Sequence, residues 1–370
     1  VSIPTVNTQW EPHANVTALD AATIGARTAA AKAALGSQVV VLGHHYQRDP
    51  VIRFADKTGD SFGLSRHAAE CRDARWVVFC GVHFMAETAD ILTAPDVTVL
   101  LPDLKAGCSM ADMADIDQVE TCWDEYASVA TTRLVPITYM NSTAAIKAFT
   151  GTNAGLVCTS SNAERALRWA FERGDAVLFL PDQHLGRNTA FFRLGIPRQD
   201  MILWDPHLPL GGNTPAQVRG ARVVLWKGHC SVHANFQPQH VDAARARDPH
   251  VRILVHPECS FEVVEKADLV GSTDFIIKTV TASPAGSSWA IGTEHNLVSR
   301  LAAAHPDKTI RTLSPFACQC ATMYRIDPID LMRTLEGIPQ GELRFPIRVP
   351  AEVAGPARLA LDRMLALPPS

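Results

Sequence analysis

Short, continuous apolar runs punctuate this chain from end to end, and each is followed by a polar turn and a stretch with helical spacing. The runs fall at 38–42 (QVVVL), 76–80 (WVVFC), 97–101 (VTVLL), 134–138 (LVPIT), 155–158 (GLVC), 176–180 (AVLFL), 222–226 (RVVLW), 252–255 (RILV), 269–271, 289–291 and 309–313. Apolar runs this short, bounded by turn residues and lacking polar alternation, fit strands buried on both faces. Between them, NAERALRWAFERG (162–174) and SFEVVEKADLVG (260–271) carry apolar residues three and four apart. The alternation predicts α/β layers with parallel sheets. A last helix is expected near 350–366, between Pro-rich flanks.

At 370 residues the chain exceeds one typical core. A weak internal repeat, VVVLGHHYQRD (39–49), TVLLPDLKAGCSMAD (98–112) and VVLWKGHCSVHANF (223–236), suggests three similar units. With 47% hydrophobic and 19% charged residues the composition is that of a compact protein. A net charge of −4 without Lys/Arg runs argues against a nucleic-acid face. No apolar stretch approaches the roughly 20 residues that cross a bilayer, so no membrane association is expected. The opening VSIPTVNTQWEPHANV lacks the regions of a signal peptide, and nine cysteines, an odd count, argue against a disulfide framework. Reduced thiols and a cytoplasmic location are the expectation.

In open parallel sheets ligands gather at the carboxyl ends of the strands. The residues there are rich in chemistry: Gly43-His44-His45-Tyr46, Tyr139-Met140-Asn141, Thr159-Ser160-Ser161-Asn162, Lys227-Gly228-His229-Cys230 and His256-Pro257-Glu258-Cys259 among them. Cys108, Cys230 and the Cys318/Cys320 pair each follow an apolar run, so they are either ligands of a soft metal centre or small core residues. No CxxC pair supports a zinc ribbon. His256 and Glu258 are an acid–base pair or a satisfied polar network under a Pro turn, and His44 with Tyr46 poses the same choice. Gly59-Asp60-Ser61, Thr159 to Asn162 and Gly271-Ser272-Thr273 are helix N-caps or anion-binding turns. Neither GxGxxG nor GxxxxGK[ST] follows a strand, which argues against a nucleotide site. Lys227 is a candidate for a Schiff base, or for a structural role.

Taken together, GHHYQ (43–47), ADKTGDS (55–61), CGVHFMAETA (80–89), LLPDLKAGCSMADM (100–113), YMNSTAAIKA (139–148), VCTSSNA (157–163), PDQHLGRNT (181–189), WKGHCSVH (226–233), HPECSFEVVEKAD (256–268), GSTDFI (271–276) and GTEHNLVSRL (292–301) resemble the quinolinate synthase family. The resemblance spans roughly residues 30–335. It implies three similar three-layer αβα domains around a pseudo-threefold axis, with the active site at their junction. The corresponding division is an arm at 1–18, a first domain of 19–96 plus 321–370, a second of 97–216 with Cys108, and a third of 217–320 with Cys230 and the loop carrying Cys320.

The resemblance further implies a [4Fe–4S] cluster on Cys108, Cys230 and Cys320, with one iron left open as a Lewis acid. The implied reaction condenses iminoaspartate with dihydroxyacetone phosphate to quinolinate, phosphate and water in NAD biosynthesis, with coupling to an L-aspartate oxidase. Catalytic roles fall on Tyr46, Glu258, His44 and His256, and substrate contacts on His44, Ser61, Tyr139, Asn141, Ser160, Ser161, His256, Glu258, Ser272 and Thr273, with His233 close to Cys230. Some members carry CxxCxxC followed by Pro near the third ligand, whereas this chain has CQCATM; Cys320 is aligned with the ligand and Cys318 is read as an unpaired thiol. Two rivals remain: a zinc or Schiff-base aldolase on the same phosphate substrate, and a non-catalytic iron–sulfur sensor.

Overall fold

A computed structural model describes residues 19–367. The arm expected over 1–18 lies outside the described residues. Fourteen strands are present among them: β1 Val39–His44, β2 Lys57–Gly59, β3 Trp76–Cys80, β4 Thr98–Leu100, β5 Leu134–Tyr139, β6 Leu156–Cys158, β7 Ala176–Leu180, β8 Met201–Trp204, β9 Val223–Trp226, β10 Arg252–Val255, β11 Leu269–Val270, β12 Ser288–Gly292, β13 Thr309–Thr312 and β14 Pro346–Ile347. Eleven coincide with the apolar runs read from the sequence.

The strands form three sheets, in the orders β14-β4-β3-β1-β2, β6-β5-β7-β9-β8 and β11-β10-β12-β13. Every pairing is parallel except β14 with β4. One plan underlies all three. The first strand of each sheet lies between the second and the third, and the next strand out is β4, β9 or β13. The fold is thus α/β, as the alternation predicted, with the three αβα units that the family resemblance implied. Pairing puts β4 in the first sheet (Trp76 opposite Thr98) and β9 in the second (Val177 opposite Val223). The sheets therefore reach one strand past residues 97 and 217.

Strand burial explains the unbroken apolar runs. In the third sheet Ile253 and Val255 face one hydrophobic cluster while Leu254 faces another, the two-residue period of a strand covered on both sides. The first two sheets share a cluster that runs from Val41 and Val78 to Val135 and Phe179. The C-terminal segment ties those two units together. β14 edges the first sheet, Arg348 pairs with Asp90 at 3.0 Å, and helix Ala351–Leu365 lies on helix Ala144–Thr152 of the second unit. Gly151 permits that approach: a Cβ there would sit 1.9 Å from the Pro356 carbonyl oxygen. Arg363 Nη1 then donates to the Gly151 and Gly155 carbonyls at 3.1 and 2.6 Å.

Candidate active site

The loops that leave β4, β9 and β13 share one construction. They lead to Cys108, Cys230 and Cys320, and a one-turn 3-10 helix begins three residues later, at Ala111, His233 and Met323. In each loop the cysteine carbonyl accepts from the amide four residues on: Asp112 at 3.1 Å, Ala234 at 3.0 Å and Tyr324 at 3.0 Å. A longer helix then opens at Ile116, Pro238 or Pro328, eight residues after its cysteine. The internal repeat is therefore anchored on the cysteines. The segment 39–49, grouped with two of these loops in the sequence, instead comprises the first strand of its sheet, β1, and the turn after it.

All three cysteines line one cavity, together with His44, Tyr46, Asp60, Ser61, Phe84, Met85, Tyr139, Asn141, Thr159, Ser160, His256, Glu258 and Thr273. The ends of the first strands each place residues i and i+2 there: His44, the last residue of β1, with Tyr46; Tyr139, the last of β5, with Asn141; and His256 with Glu258 just after β10. The second strands supply hydroxyl groups at helix starts. Ser61 begins helix Ser61–Glu70, Thr159 and Ser160 precede helix Ala163–Phe171, and Thr273 begins helix Thr273–Ala282. No Lys or Arg is among the described lining residues.

A continuous hydrogen-bond chain joins two of the first-strand loops. Glu258 Oε2 lies 2.8 Å from His233 Nδ1, His233 Nε2 lies 3.3 Å from Thr293 Oγ1, and Thr293 Oγ1 lies 2.8 Å from the Tyr46 hydroxyl. The His233 and His256 rings stack at 4.5 Å. Burial alone would raise the Glu258 carboxyl; the His233 and His256 imidazoles and the Tyr139 hydroxyl outweigh it and hold the carboxyl below its ordinary range. Burial, then the Glu258 charge, keeps Tyr46 and Tyr139 protonated by pushing both phenols well up. Burial pushes His256 down to about 3 and His44 well below its ordinary value, so both rings are neutral near pH 7. Glu258 is thus held ionised beside neutral tyrosine and histidine side chains.

Ser161 and Ser272 are not part of the lining. Ser161 Oγ bonds Thr159 Oγ1 at 2.8 Å, and Ser272 caps its helix by accepting from Phe275 N at 3.3 Å. Lys227 pairs with Asp205 at 2.7 Å and is half exposed outside the cavity, where no Schiff base could meet the other groups. Cys318 is buried away from the lining, its thiol 3.6 Å from the Phe316 carbonyl oxygen. Thr293 and Asp60 were not among the residues expected at the site: Thr293 is a single hydroxyl in a Gly-Thr-Glu turn, and Asp60 lies in a turn already read as a helix cap, which it is, accepting from Gly63 N at 2.8 Å. Two buried lining atoms lack protein partners, Asn141 Oδ1 and Thr273 Oγ1, which is the mark of groups that wait for a ligand.

The donor set suits a thiolate-bound metal group. All nine cysteines are free, and the three on the cavity come one from each repeat. Burial raises all three thiols, Cys108 to about 12; the neighbouring cysteines and Glu258 raise Cys108 and Cys230 further, and Glu294 does so for Cys320. Such thiols ionise when a cation replaces the proton, and three soft sulfur donors match iron–sulfur ligation. Cys230 Sγ, His233 and Glu258 also place ligand atoms within 4.8 Å of one another, but His233 and Glu258 already satisfy each other.

Buried acid–base groups on a cavity fed by the strand ends of three α/β units define an enzyme. The chain belongs to the quinolinate synthetase A family: the family model described as "Quinolinate synthetase A protein" matches residues 27–366. It is 62% identical over 349 residues to the quinolinate synthase of a Nocardioides species, covering 92% of this chain and 89% of that one. The Streptomyces coelicolor quinolinate synthase is 58% identical over 346 residues (93% and 88%), and that of Herpetosiphon aurantiacus 56% over 342 (92% and 91%). Among the described residues no helix is long and apolar enough to cross a membrane.

Proposed function

We propose that this enzyme condenses iminoaspartate with dihydroxyacetone phosphate to quinolinate, phosphate and water in NAD biosynthesis, with a [4Fe–4S] cluster held by Cys108, Cys230 and Cys320. The supporting observation is the arrival of three cysteines, in equal register and from three sheets, on the cavity that holds Glu258. When bound, the cluster would supply one iron without a protein ligand, a Lewis acid for carboxylate, imine or hydroxyl groups.

Both substrates are anions, yet the described lining offers no cationic side chain. Binding therefore falls to neutral donors and helix N-termini. Thr273, Ser61 and Ser160 stand at three such termini, and Asn141 presents an amide with an unpaired oxygen. Glu258, ionised, takes a proton from carbon or nitrogen. Tyr46, held protonated, gives one to a departing oxygen, and the His233–Thr293 link lets charge on one be felt at the other. His44 and His256, neutral, orient oxygen atoms by hydrogen bonding. A cytoplasmic setting beside an L-aspartate-oxidising enzyme would supply the imine.

The test is oxygen-free purification followed by iron and sulfide analysis and a phosphate-release assay with both substrates. Four irons and four sulfides per chain with phosphate release proportional to quinolinate formed are expected. A colourless, iron-free protein that makes quinolinate would overturn the cluster, and ligand binding without phosphate release would point to a sensor.

A further inference from the structure

We infer that Asn188 is a positioning residue for Glu258, acting from a neighbouring unit. Asn188 is buried on helix Gln183–Leu194, which follows β7 of the second sheet. Its Nδ2 donates to the carbonyl oxygens of Pro257 at 2.9 Å and Cys259 at 2.8 Å, 69 and 71 positions along the chain. Those two residues flank Glu258, so a single amide grips the turn on both sides of the carboxylate. Asparagine is the short side chain that carries two donors on one nitrogen and no charge. Turning the amide over would set its oxygen against two carbonyl oxygens, which fixes its orientation.

The Asn188 oxygen itself is buried without a partner. An unpaired buried acceptor costs stability, so the residue is not explained by its own satisfaction; what it provides is the grip on 257–259. The sheet holds the start of the same turn through His256 N to the Gly292 carbonyl at 3.1 Å, and the turn closes on itself through Cys259 N to the His256 carbonyl at 3.0 Å. Around Asn188 the helix docks by Phe191 and Phe192 against Phe261, both at 5.0 Å, and by Arg193 Nη2 to the Val270 carbonyl at 3.3 Å. With those contacts in place, loss of the amide frees two carbonyls without undocking the helix. The turn relaxes, and Glu258 moves relative to His233 and Tyr139.

The inference rests on the acid–base reading of Glu258, and the test separates the two. Turnover is measured for Asn188→Ala, Glu258→Gln and the double variant as iron-loaded protein, with iron content and thermal midpoint recorded for each. Asn188→Ala is expected to lower kcat at least about tenfold with KM little changed, because a misplacement of about 1 Å costs on the order of a hundredfold. In the Glu258→Gln background the same change should cost less than about twofold, since the group it positions is gone. Asn188→Ser, which retains one donor, should fall between and serves the same cycle if the alanine variant does not fold. A loss that multiplies fully onto the residual turnover of Glu258→Gln, or no loss in the single variant, overturns the clamp alone. Full turnover by Glu258→Gln overturns the acid–base reading and the clamp with it.

Discussion

Two sets of loops surround the cavity, and they use the same threefold plan in opposite ways. The loops after β4, β9 and β13 repeat one residue in one register, with the same 3-10 turn at the same distance. The loops at the ends of β1, β5 and β10 repeat only a spacing, and fill it with His and Tyr, Tyr and Asn, His and Glu. A ligand set made of like atoms needs the same side chain from each unit. A reaction between two unlike anions needs a different one from each. Under the proposed function, the repeat is uniform where it would hold a symmetric group and varied where it would meet unlike substrates.

The largest expected effects test the uniform set. Cys108→Ala, Cys230→Ala and Cys320→Ala should each abolish cluster iron and turnover, to equal degree. Normal iron in any one of them breaks the equivalence of the three loops. The varied set should respond unequally. Glu258→Gln should retain iron and lose turnover by at least about a hundredfold, the scale of a general acid–base, whereas Asn141→Ala should act mainly through KM. If both variants change only KM, the division between chemistry and binding in these loops is wrong. The smallest effects lie in the Ser272-Thr273 pair. Thr273→Ala should raise KM several-fold by removing a hydroxyl that faces the cavity. Ser272→Ala should leave KM alone and lower stability by about 1 kcal/mol, the worth of a helix cap; denaturant titration alongside kinetics distinguishes them.

Much of this was legible in the sequence because burial on both faces leaves uninterrupted apolar runs. Lys57–Gly59 escaped because it is short and polar, Pro346–Ile347 because it is two residues at an edge, and Met201–Trp204 because it returns from outside the simple strand order. Sheet borders were hard to read for a related reason. An apolar run shows that a strand is buried, not which neighbour it pairs with, and β4 and β9 both pair backwards. Some of the strand-end residues line the cavity, such as His44, Tyr139 and Glu258, while Lys227 does not, and hydroxyl-rich turns do not reveal which hydroxyl faces inwards. Thus Ser160 and Thr273 line it while Ser161 and Ser272 serve the backbone or a neighbour. Asn188 left no local trace at all, since its partners lie about seventy positions away.

The strap formed by β14 and helix Ala351–Leu365 bears on how the molecule is made. It completes the edge of a sheet begun at Val39 and covers a helix begun at Ala144, so these contacts span hundreds of residues. Closing such distant contacts is slow, and during synthesis the first two units can seal only after residues 346–365 have emerged. Until then the face of helix Ala144–Thr152 that carries Gly151 lacks the cover that Pro356 and its neighbours give it.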